Sequence, residues 1–339
     1  MDVQSFIDRY IPALEAEMRD VVSAPRASLH DLYGYLRYHL EWVDERFRPI
    51  EGRAAKRLRP VFCLLACEAC GGDWESALPA AAAVELLHNF SLIHDDIEDQ
   101  DRTRRGRPTV WAVWGEPQAI NAGDALFTLA HLALLRLAGR GAPADVVLAA
   151  LDTFDRTCLA LTEGQFLDIG FETRDDVTPE AYLEMVAGKT AALIGAACEL
   201  GALVAGAPAA RRARLSDFAR ELGLAFQMQD DVLGIWGDPQ VTGKPVGADI
   251  RRRKKTLPIV YGLAQSTALQ RLLARPTLSD ADVAQAIAVL ESTGSRDWTE
   301  AHAREATERS LEALGAATLS GPAADALYGL ALDLLGRAR

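Results

Sequence analysis

Nowhere does the chain show the strict apolar and polar alternation of a half-buried strand, and runs of β-branched residues are few. That absence excludes a sandwich, a barrel or a doubly wound sheet, and the Ala- and Leu-rich helical periodicity that remains makes the class all-α. No Ser/Pro/Gly-rich linker, fixed-period repeat or low-complexity segment divides the 339 residues. A single domain over 1–339, able to bury a sizeable core, is the simplest organisation. The first residues, Met1-Asp2-Val3-Gln4-Ser5, lack the basic-then-apolar order of a secretory leader, and a cytoplasmic protein is expected. A clean membrane span is missing too: the nearest, Ala191 to Ala210, is broken by Glu199 and Pro208 and reads as a helix buried among helices. Cations are outnumbered, with 36 Lys and Arg against 48 Asp and Glu. The resulting charge of −12 argues against a nucleic-acid or anionic-membrane surface but leaves room for a local basic pocket. The 5 cysteines are an odd number and give no disulfide framework. Cys63, Cys67 and Cys70 have the spacing of an iron–sulfur loop, yet Val61 to Cys70 reads as one helix with its thiols on the apolar face, where they act as small buried hydrophobes.

What is present is a series of helices carrying charge at a few places. Periodicity predicts helices from Val3 to about Val22, from Leu29 to Phe47 before Pro49, and from about Ala144 to Phe171. Thr178-Pro179-Glu180 supplies an N-cap and an N1 proline for the next one. Behind the apolar run Ala80 to Leu87 comes His94-Asp95-Asp96-Ile97-Glu98-Asp99, with Asp95 and Asp99 on one helical face. A solvated acidic helix end is one reading of those acids. The other is a hard cation such as Mg²⁺, because oxygen donors without His or Cys suit it and because Arg104-Arg105-Gly106 brings fixed positive charge for a phosphate. A second acid pair favours the metal. Gln227-Met228-Gln229-Asp230-Asp231 again lies in a helical run and is followed by Gly243-Lys244 and the basic stretch Arg251 to Lys255. Facing each other across a cavity, the two pairs would hold several Mg²⁺ ions around one diphosphate.

Together these segments resemble the trans-isoprenyl diphosphate synthases, the polyprenyl synthetase family that includes farnesyl and geranylgeranyl diphosphate synthases. Asp95-Asp96-x-x-Asp99 with Arg104-Arg105-Gly106 resembles the family's first aspartate-rich motif, and Gln227-x-x-Asp230-Asp231 with Gly243-Lys244 and Lys254 resembles the second. The matches run from about Lys56 to Pro258; beyond Leu257 there is no motif, and 266–339 reads as packing helices. The resemblance implies a helix bundle around a central active-site cavity, the isoprenoid synthase fold, working as a homodimer with about three Mg²⁺ per site. It implies Asp95, Asp99 and Asp230 as metal ligands, with Asp231 remaining beside Asp230 to coordinate metal, and a catalytic set of these acids with Asp96, Arg104, Lys189, Gln227 and Lys244. Lys56, Arg59, His88 and Arg105 match the site for isopentenyl diphosphate, Arg104, Lys189, Thr190 and Lys244 match the site for the allylic diphosphate, and Lys254 matches a further substrate ligand of the family. Gln165 and Asp168 match polar residues facing the reaction cavity, where Gln165 touches the developing cation and Asp168 is expected to pair with a lysine, and Gln165 and Gln227 are both assigned to substrate binding. Asn121-Ala122-Gly123-Asp124 is assigned packing and capping.

The chain departs from the family in two places. Ala54 and Ala55 replace glycines before Lys56, and Gly234 stands where many members have a third acid, with Asp238 too far along to serve instead. The reaction implied is head-to-tail condensation of an allylic diphosphate with isopentenyl diphosphate. Phe90 and Ser91, five and four residues before Asp95, correspond to the floor that limits product length. One bulky and one small residue there, with no insertion between Asp95 and Asp99, point to geranylgeranyl diphosphate, with farnesyl diphosphate the alternative. A class I terpene cyclase needs only one diphosphate site, and a regulatory subunit typically loses an aspartate motif. Both are disfavoured by the residues retained here.

Overall fold

The computed structural model describes residues 3–50, 57–242 and 245–336. Lys56, Gly243 and Lys244 lie outside the described residues. The helices are α1 (Val3–Val21), α2 (His30–His39), α3 (Leu58–Ala69), α4 (Leu78–Glu98), α5 (Val110–Trp114), α6 (Glu116–Leu135), α7 (Ala144–Glu172), α8 (Pro179–Val186) and α9 (Ala192–Val204). They continue as α10 (Ala209–Trp236), α11 (Pro239–Thr242), α12 (Ala248–Arg251), α13 (Leu257–Gln265), α14 (Thr267–Leu273), α15 (Asp280–Ser292), α16 (Ser295–Ala316) and α17 (Pro322–Gly336). The only sheet among the described residues is a hairpin of β1 (Thr103–Arg104) and β2 (Arg107–Pro108). The chain is all-α, as its periodicity predicts.

Two compact units divide it. One comprises 1–155, 196–212 and 319–327; the other comprises 156–195, 213–318 and 328–339. In the first unit α4 packs along α6 and against α1 and α3. Ala80 to Ala83 are fully buried, because alanine forms helix readily and its small side chain lets neighbouring helices close in. Pro79 starts α4 at a position that needs no backbone N–H. In the second unit Ile235, Ile250, Ile259, Leu269, Val283 and Leu290 form a core between α10 and α12 to α15.

Two local expectations are corrected. The second helix stops at His39 rather than Phe47. Glu41 and Phe47 take φ of 66° and 60°, and Asp44 accepts the backbone N–H groups of Arg46 and Arg48, a turn that competes with helix. Asn121 to Asp124 lie inside α6, so Asp124 caps nothing; the packing half of that assignment holds, since Gly123 meets the ring of His94. Thr178 does cap α8, accepting from Ala181 N–H at 3.2 Å. Cys63 and Cys67 are buried free thiols, as their helical spacing implies.

By length and composition three helical stretches could cross a membrane. In Trp74–Glu98 and in Pro179–Val204, 72% of the apolar window is buried inside the protein.

One buried ionic knot ties the first unit together. Arg57, at φ 42°, donates to Glu85 at 2.8 Å, pairs with Glu15 at 3.0 Å and donates to the Leu40 carbonyl at 3.1 Å. Asn89 adds a donor to Glu85 at 2.9 Å. Removing one partner of such a pair strands the other charge away from water. Arg57→Ala should therefore lower unfolding free energy by roughly 3–5 kcal/mol, read by urea denaturation; a loss below about 1 kcal/mol would mean that Glu85 finds solvent or a proton at little cost.

Candidate active site

The end of α4 positions the first acidic patch. Asp99 closes the helix through its N–H to the Asp95 carbonyl at 2.8 Å, so the two acids lie one turn apart on one face, as their spacing requires. Asp95 is half-buried and Asp99 exposed, whereas Asp96 points inward and is 2% exposed. Burial raises the Asp96 carboxyl to about 6, against the opposing pull of Arg104.

The chain then doubles back. Asp101 donates its N–H to the Asp96 carbonyl, and its own carbonyl accepts from Thr109 Oγ1 and Trp111 Nε1. Between these anchors Arg105 and Gly106, at φ 52° and 76°, make the two-residue turn with left-handed backbone that a tight hairpin needs. The turn returns Arg104 to the acids: its Nε lies 2.7 Å from Asp96 Oδ1 and its Nη2 3.6 Å from Asp95 Oδ2. Arg107, its cross-strand partner, goes the other way, stacking over Tyr38 and donating to the Val43 carbonyl at 2.8 Å.

A cationic cluster accompanies these acids in the same unit. Arg59 Nη1 lies 3.1 Å from His88 Nε2. Burial and the neighbouring charges of Arg59 and Arg105 hold the His88 imidazole well below its usual value, so it is neutral. A guanidinium only donates, so His88 accepts through Nε2 and carries its proton on Nδ1. Arg105 is exposed, with Glu41 3.7 Å away. Phe90 packs on His94 and Phe127 at ring separations of 4.8 and 5.0 Å, and Ser91 donates to the His88 carbonyl.

The second unit carries the other set. Gly164 of α7 faces a π turn at Ala187–Ala191, where a Cβ on Gly164 would stand 2.3 Å from the Lys189 backbone N. That close approach aligns Lys189 with α7, and its Nζ reaches Asp168 Oδ2 at 2.5 Å, the pairing expected for Asp168. Gln165 is the residue next to Gly164 on α7. On α10, Asp230 is exposed and Asp231 is 1% exposed. Asp231 is fully engaged inward: it accepts from Tyr182 Oη at 2.6 Å, from Leu257 N–H at 3.1 Å and from Gln227 Nε2 at 3.1 Å. Burial nevertheless raises its carboxyl to about 6. Thr190 Oγ1 lies 3.4 Å from Gln227 Oε1, and the exposed Lys254 acts on Asp231 through its charge.

Each patch thus divides its labour. Asp95, Asp99 and Asp230 face outward, while Asp96 and Asp231 turn in and brace a neighbouring arginine or helix start. The outward set consists of carboxylates only, which fits a hard divalent ion, and Asp96 Oδ2, buried without a hydrogen-bond partner, marks charge that Arg104 does not fully balance. Sequence spacing missed Tyr182, Glu41 and His39. Their partners are distant in sequence, and no motif signals them.

His39 shows what the arginines do to their surroundings. Its Nε2 is buried without a hydrogen-bond partner. Burial first, then the charges of Arg104, Arg105, Arg57 and Arg107, push its imidazole from 6.5 down to about 3. Because the folded state resists this proton more than the unfolded chain does, His39 leaves stability intact above pH 6.5 and costs stability as pH falls from there towards 3. His39→Gln should flatten that part of the thermal-stability profile; parallel profiles would show that His39 stays solvated.

Comparison with known proteins accounts for this arrangement. Residues 40–290 match the polyprenyl synthetase family. The chain is 44% identical over 307 residues to a (2E,6E)-farnesyl diphosphate synthase of Mycobacterium tuberculosis, covering 88% of this chain and 80% of that one. It is 45% identical over 282 residues to a geranylgeranyl diphosphate synthase of the same species, covering 82% and 79%. The crystal structure of a polyprenyl synthetase from Streptomyces coelicolor A3(2) superposes with a TM-score of 0.88 at 38% identity, covering 98% of this chain and 100% of that one. Family membership implies an allylic diphosphate and isopentenyl diphosphate as substrates and a divalent metal. With the matched region spanning both acid pairs, the chain belongs to the polyprenyl synthetase family and is a trans-prenyltransferase.

Proposed function

We propose that the protein extends an allylic diphosphate with isopentenyl diphosphate, head to tail, and releases geranylgeranyl diphosphate. The observation that carries the reading is the pairing, within the first unit, of an outward acid face at Asp95 and Asp99 with a separate cationic cluster at Arg59, His88 and Arg105. One diphosphate held through metal and a second held by cations are what a two-substrate condensation needs, and a cyclase has no use for the second.

In this reading Asp95, Asp99 and Asp230 hold magnesium, about three ions per site, which would neutralise the departing diphosphate as its carbon–oxygen bond breaks. Arg104, Lys189, Thr190, Lys244 and Lys254 bind the allylic diphosphate. Lys56, Arg59, His88 and Arg105 orient isopentenyl diphosphate so that its double bond meets the allylic carbon. Gln165 and Gln227 face the cavity, and the apolar helices exclude water that would trap the cation.

Phe90 supports the product assignment. Its ring, on α4, packs against Phe127 of α6 at 5.0 Å, and the small Ser91 is the next residue. The test is purified protein with Mg²⁺, isopentenyl diphosphate and, separately, dimethylallyl, geranyl and farnesyl diphosphates, with dephosphorylated products sized by mass spectrometry. Geranylgeraniol is expected from each primer, and Phe90→Ala should shift products to longer linear chains. Farnesol as the end product would reassign the chain length. Cyclic hydrocarbons formed without isopentenyl diphosphate would overturn the reading.

A homodimer belongs to the same proposal. Ile120, Leu132 and Leu135 on α6 and Leu148 on α7 are 45%, 51%, 44% and 67% exposed, large apolar side chains that a second copy of the chain would cover. Only 44% of the apolar window around α6 is buried within the chain. Light scattering should give twice the chain mass, with Leu132→Asp/Leu148→Asp shifting it to the monomer; a monomeric wild type would sink the assignment.

A further inference from the structure

The second acid patch lacks a partner one turn on, since Asp230-Asp231-Val232-Leu233 is followed by Gly234. Helix α10 continues through this point to Trp236, so position 234 shares the outward face of Asp230. Glycine in a helix interior costs about 1 kcal/mol relative to alanine, so its presence calls for a reason. Backbone conformation does not supply one, for Gly234 is helical. Space does: a Cβ on Gly234 would fall 1.9 Å from Asp249 Oδ2, 2.6 Å from its Cγ and 3.2 Å from Oδ1. The carboxylate of Asp249 lies against the bare backbone of α10, in the room that a side chain at 234 would take.

The elements that place it there are anchored. Ile250, the next residue, is fully buried in the core that contains Ile235. Gly247 N–H donates to the Ile235 carbonyl at 3.0 Å, and the Asp249 carbonyl accepts from Lys254 N–H at 2.9 Å. Asp249 precedes the basic run Arg251 to Lys255 in sequence, but its charge belongs electrostatically with the acids. The Tyr182 phenol is held protonated by burial and by Asp231, Asp168 and Asp249 together. Of these carboxylates, Asp231 is satisfied by hydrogen bonds and Asp168 by Lys189. Asp249 lies against α10 at Gly234, one helical turn beyond Asp230.

We propose that Asp249 supplies, from α12, the carboxylate that the second acidic motif lacks at position 234, and that with Asp230 it holds the divalent metal. The proposal rests on the metal-dependent reading above, so its test separates the two. Binding of Mn²⁺ in the presence of inorganic diphosphate is followed on the full-length protein by calorimetry and by the Mn²⁺ electron-spin signal, with melting in chelator as the control for folding. Asp249→Asn is expected to weaken metal binding by about tenfold while its melting in chelator stays at the wild-type value. Gly234→Asp alone should lower melting, because its Cβ meets Asp249. The exchange Gly234→Asp/Asp249→Ala, which moves the carboxylate back to α10, should recover metal affinity to within about threefold of wild type. Wild-type affinity in Asp249→Asn, or a folded exchange variant that recovers nothing, would overturn the assignment of Asp249 alone. A wild type that binds no Mn²⁺ with diphosphate would overturn the metal reading and this proposal with it.

Discussion

A carboxylate drawn out of water must be met by a proton, a hydrogen-bond donor or a cation, and this requirement organises both acid patches. At the end of α4 the demand is met by Arg104, and the whole hairpin from Asp101 to Thr109 serves to carry that guanidinium back. On α10 it is met for Asp231 by Tyr182, Gln227 and the first N–H of α13. In each patch the inward acid takes the shortest of these contacts, while Asp99 and Asp230 lie exposed and Asp95 half-buried. Adjacent aspartates that look equivalent in sequence are therefore different groups: one is buried and holds an arginine or a helix start, the other lies nearer solvent.

The same balance shapes the cationic cluster. Burial first, and then the arginines crowded at the start of α3 and around the hairpin, keep His88 and His39 neutral. A neutral His88 accepts from Arg59 and so fixes the guanidinium without adding another repelling charge. Two cations and an uncharged orienting ring thus stand together, with Glu41 3.7 Å from Arg105 as the carboxylate of the protein that an incoming anion would displace.

Much of this was legible in the sequence, and the limits have physical causes. Helical period placed Asp95 and Asp99 on one face, Thr178 as a cap and the cysteines in a core, because those features depend on residues a few positions apart. The overlong second helix failed at Asp44, whose side chain offers backbone N–H groups an alternative to the helix, a competition that apolar periodicity does not register. The capping role given to Asp124 failed because a turn-forming pattern was embedded in a longer apolar run. Tyr182, Asp249 and the Arg57–Glu85–Glu15 knot join residues far apart in sequence. Their meaning comes from tertiary placement, and no local spacing could have revealed it.

A π turn holds one residue more than an α turn, so the helix beyond it is rotated by about 100° relative to an unbroken one. Before the turn at Ala187–Ala191, α8 buries one side only, at Tyr182, Met185 and Val186. After it, every residue from Ala191 to Cys198 is buried. The apolar stretch that reads as one rod is thus two screws of different phase, with Lys189 at the slip between them. Losing one residue at the turn would return it to α and leave the later side chains of α9 in their sockets, whereas losing one within α8 would swing them by about 100°.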